Sequence, residues 1–331
     1  MNPGRHIHAL FALVALIAAA TSCNWAGSVK RIGILNWSED LVGYGQAYKG
    51  IIDGLHANGY QEGFNIHIDY QNAQGNDAEA KKLLKRFVQS KYDLIVTIGS
   101  PASLAALDAV KEREIPVVFT VVGNPKETGI INDWSAPGKN VTGVSIDIPL
   151  EIYYSKLRSI MPNAKKLGII YVNKYATAKA ASRSAAAIAP QFGFEPHMIA
   201  MDEGNLDRLE DVVGPLRRKI DVVFFTADPV LYSETMMKKF IPAFKKIGVP
   251  AMILSDNYLK YGALLAINSS FYNMGRQTVP HIVKVMNGIA AKDIPSEQPY
   301  DYIFTVNKGA AKELGIDLGW NVLVDADSIV E

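Results

Sequence analysis

Asp93-Leu-Ile-Val-Thr-Ile-Gly-Ser-Pro-Ala-Ser-Leu-Ala-Ala-Leu-Asp-Ala-Val110 carries the reading of the fold. Leu94 to Ile98 is a short β-branched apolar run bounded by turn residues, the pattern of a buried strand. Gly99 ends it. Ser100 takes the helix N-cap position and Pro101 the first helical position. Leu104, Leu107 and Val110 then recur at helical spacing. A strand running through a tight turn into a helix leaves free N–H groups at the turn, a place to hold an anion or a carbonyl oxygen. Asp221-Val-Val-Phe-Phe-Thr-Ala-Asp-Pro-Val230 repeats the order of Asp, apolar strand, cap residue and Pro. It predicts a second strand with a helix from about Pro229 to Ile247.

The flanking segments extend the duplication. Arg31 to Trp37, Asn65 to Tyr70 and Ile115 to Val122 read as strands. Tyr44 to Asn58 and a segment capped by Asp77 and running to about Ser90 read as helices. Val141 to Ile146 is a fifth strand. The order then starts again. Lys166 to Asn173 matches Arg31 to Trp37, and Val249-Pro-Ala-Met-Ile-Leu-Ser255 matches Ile115-Pro-Val-Val-Phe-Thr-Val121 with the Pro in register. Between them lie a helix from about Ala176 to Phe192, a strand from His197 and a helix from Leu206 to Lys219. Strands alternating with helices predict α/β lobes with parallel sheets, here two Rossmann-like lobes joined by a hinge. Gly262 to Asn268 and Tyr302 to Val306 are further strands, and Met274 to Asn287 is a further helix.

Composition excludes several classes. The 331 residues are 49% hydrophobic and 20% charged with a formal net charge of +1, which suits a folded chain without the basic stripe that nucleic acid requires. The chain's only cysteine, Cys23, follows Arg5, the apolar run Ala9 to Ala20 and Thr21-Ser22. That order predicts an export signal over residues 1–22, and the run is too short to span a membrane. The small residues before Cys23 resemble a lipoprotein signal, with Cys23 the lipidated first residue of the mature chain. An ordinary secretion signal with an incidental Cys is the plainer alternative. No nucleophile elbow, P-loop, dinucleotide fingerprint or His-Glu-x-x-His pattern occurs, and no His falls at a predicted strand end, so catalysis, cofactor and metal are not expected.

Ligands on parallel α/β sheets bind beyond the carboxyl ends of the strands. In the first lobe these corners hold Trp37, then Ser100, Pro101 and Ala102, then Thr120, Val121 and Asn124. In the second lobe they hold Tyr171, Asn173 and Tyr175, then Asp228, then Asp256, and Asp147 lies at the crossover between lobes. Ser100 and its helix suit a carboxylate, while Asp228 and Asp256 suit an ammonium. The pairing points to a zwitterion such as an amino acid. Aromatic residues at or near the corners, Trp37, Phe119, Tyr171, Tyr175 and Tyr258, suit an apolar or aromatic side chain. Each contact has a plainer alternative: Ser100 and Asp228 as helix caps, the aromatic residues as core.

Ile51-Ile-Asp-Gly-Leu55, Gly59-Tyr60, Ile68-Asp-Tyr-Gln-Asn-Ala-Gln-Gly75, Asn140-Val-Thr-Gly-Val144, Met161-Pro-Asn-Ala-Lys165, Gly275-Arg-Gln-Thr278 and Ala326-Asp-Ser-Ile-Val330, with Asp93 to Val96 and Ile115 to Thr120, resemble the substrate-binding proteins of bacterial ABC transporters. The resemblance is to the family that includes tryptophan- and tyrosine-binding members, and it covers about Lys30 to Glu331. It implies the type I periplasmic-binding-protein clamshell, with three crossings between a lobe of 29–147 plus 263–298 and a lobe of 148–262 plus 299–331. It also implies an exported monomer that captures a small ligand, an amino acid or related solute, and hands it to an ABC permease. A ligand-sensing ectodomain or co-receptor for a signalling partner is the alternative use of the same cleft. The chain departs from the family pattern at Asn124-Pro125, where Asp-Pro is usual. A second departure is Val172-Asn-Lys-Tyr-Ala-Thr-Ala-Lys179, where an Asn-Pro-x-x-x-x-Asn-Ser loop is frequent.

Overall fold

The computed structural model describes residues 29–39, 43–174, 176–202, 204, 206–228 and 230–331. The export signal, Cys23 and Tyr175 lie outside the described residues. No helix among those described is long and apolar enough to cross a membrane.

Five strands form the first sheet: β1 (Lys30–Asn36), β2 (Ile66–Asn72), β3 (Leu94–Ile98), β4 (Val117–Val122) and β5 (Val141–Ser145). Their order is β2-β1-β3-β4-β5, all parallel. All five residues of β3 are buried, as a strand covered by helices on both faces must be. Between the strands run α1 (Tyr44–Ala57), α2 (Asp77–Gln89) and α3 (Ser100–Ala109). Two caps differ from the sequence expectation. Asn76, not Asp77, caps α2, its side chain accepting from the N–H groups of Ala78 and Glu79. Gly99, not Ser100, is the N-cap of α3, with φ 98° and ψ 151°. A side chain there would meet the Tyr44 ring 2.7 Å away, so only glycine makes this turn. Ser100 becomes the first helical residue and Pro101 the second.

The second sheet has seven strands in the order β12-β11-β10-β9-β8-β6-β7. They are β6 (Lys166–Val172), β7 (Glu195–Met201), β8 (Val222–Phe225), β9 (Ala251–Ile253), β10 (Leu265–Asn268), β11 (Ile303–Asn307) and β12 (Ser328–Val330). Among the described strands only the β10–β11 pair is antiparallel. The helices around it are α4 (Leu150–Ile160), α5 (Ala176–Ile188), α6 (Leu209–Val213), α7 (Glu234–Lys246), α9 (Lys308–Glu313) and α10 (Trp320–Asp325). Helix α6 is shorter than the periodicity predicts, because Gly214 and Pro215 turn the chain into a 3-10 segment, Gly214–Leu216,. The duplicate of the opening stretch also departs. After β8 the chain makes a turn before α7 begins, capped by Ser233 instead of at Asp228-Pro229.

The chain passes between the sheets three times, around 146–149, 269–270 and 298–302. Strand β10 pairs with β9 and β11 in the second sheet. The second passage therefore follows Asn268 rather than preceding Ala263, where the sequence boundary lay. Helix α8 (Phe271–Met286) then returns to the first sheet and packs on α1. Glycines allow that contact: a Cβ on Gly50 would lie 2.0 Å from the Tyr272 carbonyl oxygen, and one on Gly275 2.1 Å from that of Ala47. The third passage runs beside β5, where Ser145 N–H donates to Glu297 O at 2.8 Å and Glu297 N–H to Gly143 O at 2.9 Å.

Candidate functional site

Strands β5 and β10 end where the first two passages begin, so the carboxyl ends of both parallel sheets face the crossovers. A cavity of about 770 Å³ lies there. One side of it is the first passage with the start of α4, Ile146 to Glu151. Opposite are the turns after β8 and β9, Thr226-Ala227 and Leu254 to Tyr258, with Asn268 to Phe271 from the second passage. Asn124, Glu127 and Trp134 come from the first lobe, and Gln298 from the third passage.

Asp147 is the best-fixed polar group on this wall. Its Oδ2 accepts from the Asn124 N–H at 2.6 Å and from Ser145 Oγ at 2.9 Å. Burial outweighs these bonds and pushes its carboxyl up to about 6, with the charge of Glu127 adding to the rise,. Gln298 ties the third passage to the first by donating from Nε2 to the Asp147 carbonyl oxygen at 3.1 Å. Two of the aromatic residues on the wall have committed their hydroxyls. Tyr153 donates to Ile267 O at 3.1 Å. Tyr232 donates to Phe225 O at 2.7 Å and accepts from Leu254 N–H at 2.7 Å, clipping β8 to β9. Burial raises the pKa of both phenols. The second passage enters α8 through Ser270, whose Oγ accepts from the Asn273 N–H at 3.3 Å.

Of the residues expected from the sequence, the structure brings Asn124, Asp147 and Asp256 to the cavity, together with Tyr258. It places the others elsewhere. Trp37 is half-buried against the outer core of the first lobe, and Ala102 and Phe119 are within that core. Ser100 Oγ accepts from the Gly123 N–H at 3.1 Å, joining two strand ends, with Pro101 beside it. Thr120 is fully buried, and Val121 packs into the inner core. Val121 has φ 56°, a strained conformation for a β-branched residue, at the register shift between β4 and β5,. Tyr171 is half-buried on β6, and Asn173 is exposed, its Nδ2 donating to Asp202 Oδ1 at 3.4 Å.

Asp228 is a correction. The residue is 2% exposed. Its Oδ2 accepts from the Val172 N–H at 2.6 Å, and its Oδ1 accepts from the N–H groups of Val230 and Leu231 at 2.8 and 3.1 Å. The carboxylate caps its own turn and ties it to the end of β6, which is the plainer of its two sequence readings.

Sequence reasoning missed Glu127, Trp134, Glu151, Tyr153, Tyr232 and Phe271. Glu127, Trp134 and Tyr232 sit in turns that no repeat marks, and Glu151, Tyr153 and Phe271 in the first turns of α4 and α8. A weak signal was present at Ser269-Ser270, a cap pair just ahead of a helical period.

The comparisons with known proteins agree with this architecture. A family described as ABC transporter substrate binding protein matches residues 41–330. A protein of Clostridioides difficile (strain R20291) named tyrosine-binding protein is 28% identical over 285 residues, covering 86% of this chain and 81% of that one. The ligand-free, open structure of a substrate-binding protein with adhesive properties from Clostridium difficile superposes with a TM-score of 0.80 at 26% identity, over 92% of this chain and 99% of that one. A Streptococcus pneumonia domain solved in complex with L-Trp gives a TM-score of 0.71 at 24% identity, over 92% of this chain and all of that one, and shares the fold.

Proposed function

The chain belongs to the ABC transporter substrate binding protein family, and on that premise we propose that it captures a small aromatic amino acid in the cavity at the crossovers and delivers it to a membrane permease. Members of this family bind ligands and do not catalyse reactions on them. The observation that carries the proposal is the composition of the cavity wall. Trp134, Tyr258 and Phe271 offer ring faces, while Asp147 and Asp256 offer carboxylates for an ammonium,. The N–H groups of the first turn of α8 beyond the one that Ser270 Oγ takes are the counterpart for the ligand's carboxylate,. A relative named for tyrosine and a shared fold solved with tryptophan support the aromatic side chain.

On this reading the three passages act as the hinge, and the lobes close over the ligand. The protein works outside the cytoplasm as a monomer, held to the membrane through a lipid on Cys23. Calorimetric titration of the mature chain with the twenty amino acids tests the ligand. Binding of one aromatic amino acid per chain is expected, weakened at least about tenfold by Tyr258→Ala or Trp134→Ala. A screen in which no amino acid binds would sink the proposal. Fractionation of cells carrying Cys23→Ser tests the anchor, with release from the membrane fraction as the expected result.

A further inference from the structure

The wall of the cavity holds more negative charge than a zwitterion can balance. Glu127 follows β4, Asp147 belongs to the first passage, Glu151 lies in the first turn of α4, and Asp256 follows β9. Among the described residues no Lys, Arg or His lines the cavity, and none of the four carboxylates has an ion-pair partner. Two of them feel each other, since the charge of Glu127 disfavours ionisation of Asp147. An independent feature of the wall points the same way. With the hydroxyls of Tyr153 and Tyr232 committed to backbone groups, these residues have mainly their rings left to present. Carboxylates beside aromatic rings, with no cation among them, form the chemistry that attracts an organic cation. A carboxylate on the ligand meets neutral donors there, such as Thr226, Asn257 and Gln298, but no cation among the described residues, and it is repelled by the charged side chains around it,.

We propose that this cavity selects net positive charge, so that aromatic amines, which keep the ring and the ammonium and lack the carboxylate, bind more tightly than the parent amino acids. The inference rests on the reading that this cavity is the ligand site, and it names the class of solute the site favours.

The test is a parallel titration of the mature chain with tyramine and tyrosine, and with tryptamine and tryptophan, near neutral pH and at low salt. It is repeated with Asp147→Asn/Asp256→Asn, whose folding is checked by thermal melting. The amines are expected to bind about tenfold more tightly than the amino acids, as one uncompensated charge in a partly desolvated site implies. High salt and the double variant should each shrink that advantage. If tyrosine and tryptophan bind as tightly as their amines while the double variant weakens all four, the charge preference is overturned and the site stands. Affinities unchanged in the double variant, or no binding by any of the four, would overturn the site and the inference together.

Discussion

Asp147 and Asp228 are both carboxylates at the carboxyl edges of the sheets, and their surroundings give them opposite uses. Asp228 spends both oxygens on three backbone N–H groups. Asp228→Ala would strand those donors in the interior, and a loss of about 3 kcal/mol in chemical unfolding is expected. The ligand affinity of the folded fraction should stay unchanged; a large affinity loss in a stably folded variant would restore Asp228 as a contact. Asp147 lies on the cavity, and burial holds its carboxyl at about 6, above the usual 3.8. The native chain therefore binds that proton more tightly than the unfolded chain does. Its contribution to stability is complete below about pH 4 and is lost as pH rises through about 6, on the order of 3 kcal/mol,. Affinity for an ammonium ligand runs the other way, because the ionised form attracts it. Between about pH 5 and 7 the wild type should lose stability and gain affinity, and both slopes should flatten in Asp147→Asn, by thermal melting and calorimetry. The sequence exposed the residue types at these corners. It could not say which oxygen would meet a backbone N–H, because that depends on turns closing against strands 56 residues away.

Elements whose local pattern agrees with their packing were legible. Strand β3 is a buried apolar run and needs nothing else to be recognised. The duplicate after β8 misled because a strand-cap-Pro pattern also describes a capped turn, and the cap at Ser233 competes with it for the helix start. The close approach of α1 and α8 was invisible for another reason. Glycines in helices weaken local propensity, and their value appears only when a second helix presses its backbone against them. Gly275→Ala should therefore destabilise the chain by at least roughly 2 kcal/mol in denaturant unfolding, although alanine is the better helix former. A neutral or stabilising result would mean that the two helices can separate at little cost.

At the scale of the whole molecule, two sheets meet through three chain passages, in the type I periplasmic-binding-protein architecture. If the passages are the hinge, adding a bound amino acid or amine should lower the radius of gyration in solution scattering. An unchanged scattering curve at saturating ligand would remove closure from the proposed cycle. The sequence by itself determined the class of fold, because hydrophobic periodicity and turn chemistry are local and are written residue by residue, and a resemblance over particular stretches pointed to the family. The tertiary structure alone decided that β10 joins the second sheet, that Asp228 is a cap and that Glu127, Asp147, Glu151 and Asp256 surround one cavity. The opening stretch shows the division. Its strand and helix were readable from spacing, yet the Ser100 hydroxyl accepts from Gly123 and lies off the cavity wall. Which groups share a space depends on how passages distant in sequence are brought together, and their charges act on one another only after packing removes the water between them.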